Sequence, residues 1–461
     1  MKNENPLLVP ALREMLAAGD VKNLQDFCES THPVVIAELI SALSSKEVWT
    51  ILRHTAPPLR SEIFSHLDED LQVEIVENLS RNEVAQLLTE MSPDDRVDLF
   101  KWLPVNVQET VLPALAYAER EDIRRLSVYK EDTAGAVMTS DYATLSPQLT
   151  ASQAIERLRE IAPDKETIYY AYVLDENRKL LGFVSLKDLI LARREARVGD
   201  IMHRDVIFAR VEDDREDAAR KIQKYDLIAL PVLNGGDALV GIITHDDAID
   251  IITQEHTEDM EKLMAIAGSH EAGVYLKTPS WVHFKNRAYW IVGLAALGLV
   301  SGIIIHSFEA TLMQMLILAL YMPMVADTGG NTGSQSATVV VRALALREIS
   351  PKDTFKVLWK ECKIAILLAL VLGVLSWVKV MFLSRGTDTP AGYTLEKIGV
   401  VIAVALGLQV VTATLIGALL PLAVAKMRLD PAVIASPALT TIVDITGLLI
   451  YFSTAKLLLG V

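Results

Sequence analysis

The chain has 461 residues, a formal charge of -15 at neutral pH and 51% hydrophobic composition, too long for one domain and too apolar for an ordinary soluble enzyme. The acidic balance argues against nucleic acid as a partner and makes divalent cations the natural counter-ions. Cys28 and Cys362 are the only cysteines; they lie in different halves and make no disulfide framework or zinc spacing.

The apolar excess is uneven. Up to about residue 282 no apolar run reaches membrane length, whereas from Tyr289 onward such runs dominate. The first ten residues lack a charged-then-apolar signal pattern, so the charged half is expected to stay in the cytoplasm.

Residues 37–116 repeat every twelve positions: AELISALS, WTILRHTA, SEIFSHLD, VEIVENLS, AQLLTEMS, VDLFKWLP and ETVLPALA. Large apolar residues recur at the third and fourth positions of each unit and usually at the seventh, which is one helical face. Twelve residues cannot bury that face alone, so paired helices should stack into a small α-solenoid. The acids Glu62, Asp94, Asp95 and Asp98 belong either to a docking surface or to a solvated polar face.

A different duplication follows, two copies of a βαββα-like pattern. Copy one runs from residues 136–138 through a helix at 151–160 and a strand at 170–174 to Gly182-Phe183-Val184-Ser185-Leu186-Lys187-Asp188. Copy two runs from 200–202 through 216–225 and 229–233 to Gly241-Ile242-Ile243-Thr244-His245-Asp246-Asp247. Each copy resembles a CBS (cystathionine β-synthase-type) domain, two of which usually pack as one pseudo-symmetric module. By that resemblance the Asp of the Gly-h-h-Ser/Thr-x-x-Asp turn, Asp188 or Asp247, is expected to hold an adenosine ribose, with Ser185 beside Asp188. Neither copy offers a glycine-rich phosphate loop.

Between Asp246 and Glu261 lie seven acids and no Lys or Arg. Like charges this dense repel unless something bridges them. Magnesium, which often keeps most of its water while taking one or two carboxylates, is a suitable bridge. The other reading is a solvated acidic helix with Glu258 and Lys262 as an i,i+4 pair. Residues 253–275 read as a helix with Met260, Leu263, Met264 and Ala267 as its apolar stripe, joining the module to the first membrane span.

Five spans are expected, at about 289–306, 312–341, 364–383, 398–424 and 433–458. Basic residues crowd the loops after spans two and four (Arg342, Arg347, Lys352, Lys356, Lys360, Lys363; Lys426, Arg428). The positive-inside rule therefore puts the N-terminus in the cytoplasm and the C-terminus outside. Trp281, Tyr289 and Trp290 suit the inner aromatic belt. Span two carries Pro323, Gly329, Gly330 and Gly333 amid a polar run, a stretch expected to be broken and to line water or pack against protein. Span five carries Asp444 with no basic residue beside it. A carboxylate at that depth costs roughly 2.5–3.5 kcal/mol, so it is expected to face a wet interior as a cation or proton site.

The order of these parts, with PMVADTGGNTGSQSAT in span two and DPAVIASPALTTIVDITG in span five, resembles the MgtE family of magnesium channels over nearly the whole chain. The expected fold is a multidomain membrane protein. It has an α-solenoid N domain (1–131), an α/β tandem CBS module (132–198 and 199–252), a connecting or plug helix (253–282) and an all-α five-helix transmembrane domain (283–461). The resemblance implies a homodimer in the inner (plasma) membrane with one pore, Asp444 facing a hydrated Mg2+, and Asn331, Gly329, Gly330, Ala438 and Thr441 lining the path. It implies a cytoplasmic Mg2+ sensor at Asp94, Asp98, Glu216, Asp226, Asp247, Asp250, Glu255, Glu258 and Asp259, and ATP or another adenine nucleotide at the CBS module. No nucleophile with its base is seen, so no enzyme is expected. Alternatives are a broader Co2+/Mn2+ transporter, a chloride-type CBS channel, which would want more spans, and a membrane-tethered nucleotide sensor, which leaves Asp444 without purpose.

Overall fold

The computed structural model describes residues 8–266, 275, 278–386, 389, 392–431 and 436–460. It divides into two compact units, Met1–Thr253 and Gln254–Val461.

The first unit opens with ten helices: α1 (Leu8–Ala18), α2 (Val21–Ser30), α3 (Pro33–Ile40), α4 (Ser45–Leu52), α5 (Pro57–Ser65), α6 (Glu69–Glu77), α7 (Arg81–Glu90), α8 (Pro93–Trp102), α9 (Val105–Val111) and α10 (Tyr117–Leu126). From α3 to α10 a helix starts at every twelfth residue, so the sequence repeat is one helix per unit. The starts use two devices. Proline occupies the first helical position of α3, α5 and α8, where its missing N–H costs nothing. Ser44-x-x-Glu47 and Ser80-x-x-Glu83 form capping boxes on α4 and α7. Each helix from α3 to α7 packs on the next but one, giving two layers. Between them lie the third- and fourth-position residues Leu39, Ile40, Ile51, Leu52, Ile63, Phe64, Ile75, Val76, Leu87 and Leu88, none more than 4% exposed.

The tandem module follows. In copy one β1 (Tyr142–Leu145) lies parallel to β2 (Thr167–Leu174), which pairs antiparallel with β3 (Leu180–Ser185); α11 (Ala151–Ile161) and α12 (Leu186–Leu191) flank the sheet. After α13 (Val198–Ile201), copy two repeats this with β4 (Ala209–Arg210), α14 (Arg215–Tyr225), β5 (Ala229–Leu233), β6 (Leu239–Thr244) and the start of α15 (His245–Leu263). The expected openings at 136–138 and 200–202 are not strands. Instead each copy's leader makes a bridge onto the other copy's last strand, Thr139 to Ile242 and His203 to Phe183. That exchange explains the glycine of each turn motif. A Cβ at Gly182 would lie 2.4 Å from the His203 carbonyl oxygen, and one at Gly241 2.6 Å from Met138 Sδ.

α15 is one helix from copy two into the linker. It ends at Leu263 rather than near residue 275, because Ala265 takes a left-handed φ of 58° and closes a Schellman motif: Ala265 N–H donates to Lys262 and Ile266 N–H to Glu261. Residues 267–274, Ala267 of the expected stripe among them, lie outside the described residues.

The second unit contains α16 (Ser280–Ser307), α17 (Glu309–Gln314), α18 (Ile317–Ala345), α19 (Thr354–Leu383), α20 (Leu395–Lys426) and α21 (Ser436–Leu459). Among the described residues four helices, all but α18 of the long ones, are long and apolar enough to cross a membrane. α18 is 29 residues long, roughly 43 Å, but its polar run keeps it out of that set. That run does not break the helix as expected. Thr328, Thr332 and Thr338 donate back to the carbonyls of Met324, Thr328 and Ser334, and the glycines serve close approach. A Cβ at Gly417 of α20 would sit 2.2 Å from the Gly333 carbonyl oxygen, so α18 and α20 meet backbone to backbone. The start expected for span five, residues 433–435, lies outside the described residues.

Adding a methyl at Gly182 or Gly241 forces the exchanged leaders apart. Gly182→Ala is expected to destabilise the first unit by about 1–3 kcal/mol, whereas Gly235→Ala, with open space around it, should change nothing. Urea unfolding of the two variants checks this, and equal midpoints would refute the packing account.

Candidate cation-binding sites

On α18 the residues Asp327, Asn331, Gln335 and Thr338 are all exposed. Their spacing of four, four and three puts them on one helical face. The Asn331 side-chain amide donates to Asp327 Oδ2 at 3.4 Å. α21 lies alongside, with Ser334 and Thr440 hydroxyls 3.5 Å apart and Asp444 half-buried against Gly330. Asp327 is within electrostatic reach of Asp444, and among the described residues neither carboxylate has a basic partner. Two acids at one level of an apolar bundle attract a cation. Of the pore-lining candidates, Asn331 stands on this stripe, and Ala438 and Thr441 are half-buried on α21. Gly329 and Gly330 are buried and face Gln409 and Thr440 instead, so they shape helix contacts. Asp327 went unremarked in the sequence, although the argument that singled out Asp444 applies to it equally.

A second concentration of acid lies within the first unit. The N-terminal turn of α8 supplies Asp94 and Asp95, that of α15 supplies Asp246 and Asp247, and Glu166 stands just before β2. Asp94 Oδ1 is buried with no hydrogen-bond partner. Burial, reinforced by Asp95, Asp247 and Glu166, pushes its carboxyl well above the usual range. Burial also lifts Asp247 to about 6, against a 2.5 Å hydrogen bond from Thr244 Oγ1 and with Asp246 and Asp95 adding to the rise. Glu166 is lifted to about 7 by burial and then by Asp247, Asp95 and Asp246. Asp94 and Asp247 are expected as sensor acids from the sequence, whereas Glu166 has no local signature and comes beside them only through the fold. Among the described residues no three acidic, His or Cys side chains converge on one point. Such a cluster suits a hydrated magnesium ion, which takes one or two carboxylates and keeps its waters.

The remaining sensor candidates are scattered. Asp98 is raised by burial, opposed by Lys101 at 3.4 Å. Glu216 is paired with Arg220 one turn on. Asp226 is exposed at the left-handed cap of α14. Asp250 is raised by burial and Asp246 and lowered by His66. In the second unit Glu255 and Asp259 are half-buried. Glu258 pairs with Lys262 at 2.7 Å, and the same ammonium reaches Asp430, ahead of α21, at 2.9 Å.

At the nucleotide candidate, Asp188 is the third residue of a capping box. It accepts from Ser185 Oγ at 2.5 Å and lies 3.1 Å from His203 Nε2. Partial burial would raise its pKa, but these bonds outweigh it and keep the carboxylate below its usual range. It remains half-buried and ionised, with Ser185 already committed to it.

These features define a multi-pass membrane protein with a helical-repeat and tandem CBS unit ahead of its membrane helices. Comparison with known proteins agrees part by part. Residues 322–454 match the MgtE family described as divalent cation transporter, 31–132 the MgtE intracellular N domain, and 134–195 and 198–254 the CBS domain. The chain is 38% identical over 456 residues to the magnesium transporter MgtE of Thermus thermophilus, covering 98% of each. It is 36% identical over 344 residues to that of Bacillus subtilis, covering 75% of this chain and 73% of the relative. The chain belongs to the MgtE family. Among solved structures it is similar to the soluble part of a magnesium transporter (TM-score 0.51, 31% identity, 54% of this chain and 97% of that one). It is also similar to the cytosolic domain of the Mg2+ channel MgtE in complex with ATP (TM-score 0.50, 34% identity, 53% and 99%).

The raised carboxyls fix the sign of a pH effect. Because Glu166 and Asp247 bind protons more tightly when folded, the first unit gains stability as pH falls through 7 and 6, and the gain levels off once the unfolded chain protonates too. Without divalent cations, amides around residues 93–98 and 245–250 should show higher protection factors, that is, exchange corrected for the intrinsic pH dependence, at about pH 5.5 than at about pH 7.5. Glu166→Gln should flatten the difference. Lower protection at the lower pH would contradict the cluster.

Proposed function

We propose that this chain is a magnesium channel or transporter of the inner (plasma) membrane, acting as a homodimer with its N-terminus in the cytoplasm and its C-terminus outside. The observation that carries this is Asp444, an uncompensated carboxylate beside the polar stripe of α18 in an otherwise apolar bundle. A face of acids, amides and hydroxyls is costly against lipid. Two copies meeting along α18 and α21 would enclose it as a wet path. Asp444 would hold the hydrated ion and Asn331, Ala438 and Thr441 would border it.

The relatives named as magnesium transporters support Mg2+ as the substrate, while the family description, divalent cation transporter, leaves Co2+ or Mn2+ as further cargo. No phosphate-binding loop is present to power a pump, so flow is driven downhill by membrane potential, about 2.3 kcal/mol per charge per 100 mV. It is a transport protein and not an enzyme.

Control falls to the acids ahead of the membrane helices. When internal Mg2+ is plentiful it engages Asp94 and Asp247, the more dispersed Asp98, Glu216, Asp226 and Asp250, and Glu255, Glu258 and Asp259 on α15, closing the path. When it is scarce, mutual repulsion opens it. An adenine nucleotide such as ATP binds the CBS module through Asp188 and Ser185, a reading supported by the ATP complex of a similar domain.

In liposomes loaded with a magnesium dye, Asp444→Ala should abolish uptake. Joint neutralisation of Asp247, Asp250 and Glu255 should leave conduction intact but weaken closure by millimolar internal Mg2+. Normal uptake by the Asp444 variant would end the proposal.

A further inference from the structure

Midway along α20 the side chain of Gln409 is fully buried, 0% exposed. Its Nε2 donates to the carbonyl of Val443 at 2.8 Å, the residue before Asp444, and that carbonyl also accepts from Thr446 Oγ1 of the same helix at 3.0 Å. Two neighbouring helices are cut away to admit it. A Cβ at Gly329 of α18 would lie 2.3 Å from Nε2, and one at Gly447 of α21 would lie 2.7 Å from it.

The other end of the amide, Oε1, is buried with no hydrogen-bond partner, a standing cost to stability. Methionine or leucine would fill a notch of this size without that cost. Packing alone therefore does not account for an amide here, and its one bond goes to the turn that carries Asp444. That bond ties α21 to α20, and the same amide seats against Gly329 of α18, near the level where Asp444 Oδ1 overlies Gly330.

We infer that Gln409 is a positioning residue for the cation path: through the Val443 carbonyl it holds the Asp444 carboxylate in register with Asp327 and Asn331. It acts without touching the ion. The inference rests on the reading of Asp444 as the path's acid.

The test uses the full-length protein in liposomes, with uptake measured over a range of external Mg2+ and, separately, Ca2+. Gln409→Met keeps the volume and removes the donor. It should raise the half-saturating Mg2+ concentration by at least about threefold, the worth of one neutral hydrogen bond, and narrow the preference for Mg2+ over Ca2+. A merely structural role would lower only the maximal rate, by reducing the number of folded proteins. Gly447→Ala, which pushes the amide off the Val443 carbonyl, should reproduce both shifts, and it carries the test alone if the methionine variant misfolds. Unchanged half-saturation and unchanged ion preference in the folded variants would overturn the inference. Absence of Mg2+ uptake by the wild type, or normal uptake by Asp444→Ala, would sink the reading of Asp444 instead, so the two failures are distinguishable.

Discussion

Negative charge concentrated with little compensation from bases is the constraint on which this molecule depends. It occurs twice, in different surroundings. In the first unit Asp94, Asp247 and Glu166, on two helix N-terminal turns and at a strand start, lie within electrostatic reach of one another. In the second unit Asp327 and Asp444 stand in an apolar bundle. Helix N-termini favour carboxylates through their dipoles, but several acids at one place exceed what dipoles offset. The fold therefore stores repulsion in the first unit that protonation relieves.

The scaffolding that makes this tolerable is built largely from small residues and reciprocal caps. Gly333 and Gly417 let α18 and α20 touch at the backbone, while Gly329 and Gly447 make room for Gln409. In the CBS pair Gly182 and Gly241 receive the exchanged leaders, and Ser185-x-x-Asp188 and Thr244-x-x-Asp247 cap the helices that follow. The Asp of each motif thus has a structural duty before any ligand arrives. A residue can serve both, provided the cap leaves part of the carboxylate accessible, as the half-buried Asp188 and Asp247 do.

Much of this was legible in the sequence because its signals are local or periodic. The twelve-residue repeat gave one helix per unit, the duplicated turn motif gave the CBS pair, and a charged residue inside a long apolar run marked Asp444. What escaped depends on contacts distant in sequence. Glu166 carries no motif and joins the acid cluster only by folding. The exchanged leaders look like strands locally but pair across copies. Glycine and proline in α18 read locally as breakers, whereas its packing on α20 and α21 outweighs that propensity. The linker was overextended because Ala265, unlike glycine, gives no warning that it will adopt a left-handed conformation.

The two-layer arrangement of the repeat has an evolutionary corollary. Since alternate helices occupy opposite layers, deleting a single unit would transfer every later helix to the wrong side and turn its greasy edge outward. Removing or duplicating a pair would preserve sidedness and alter only reach. The arm can therefore change length only in steps of two helices, so its span relative to the CBS pair is quantised rather than continuously adjustable.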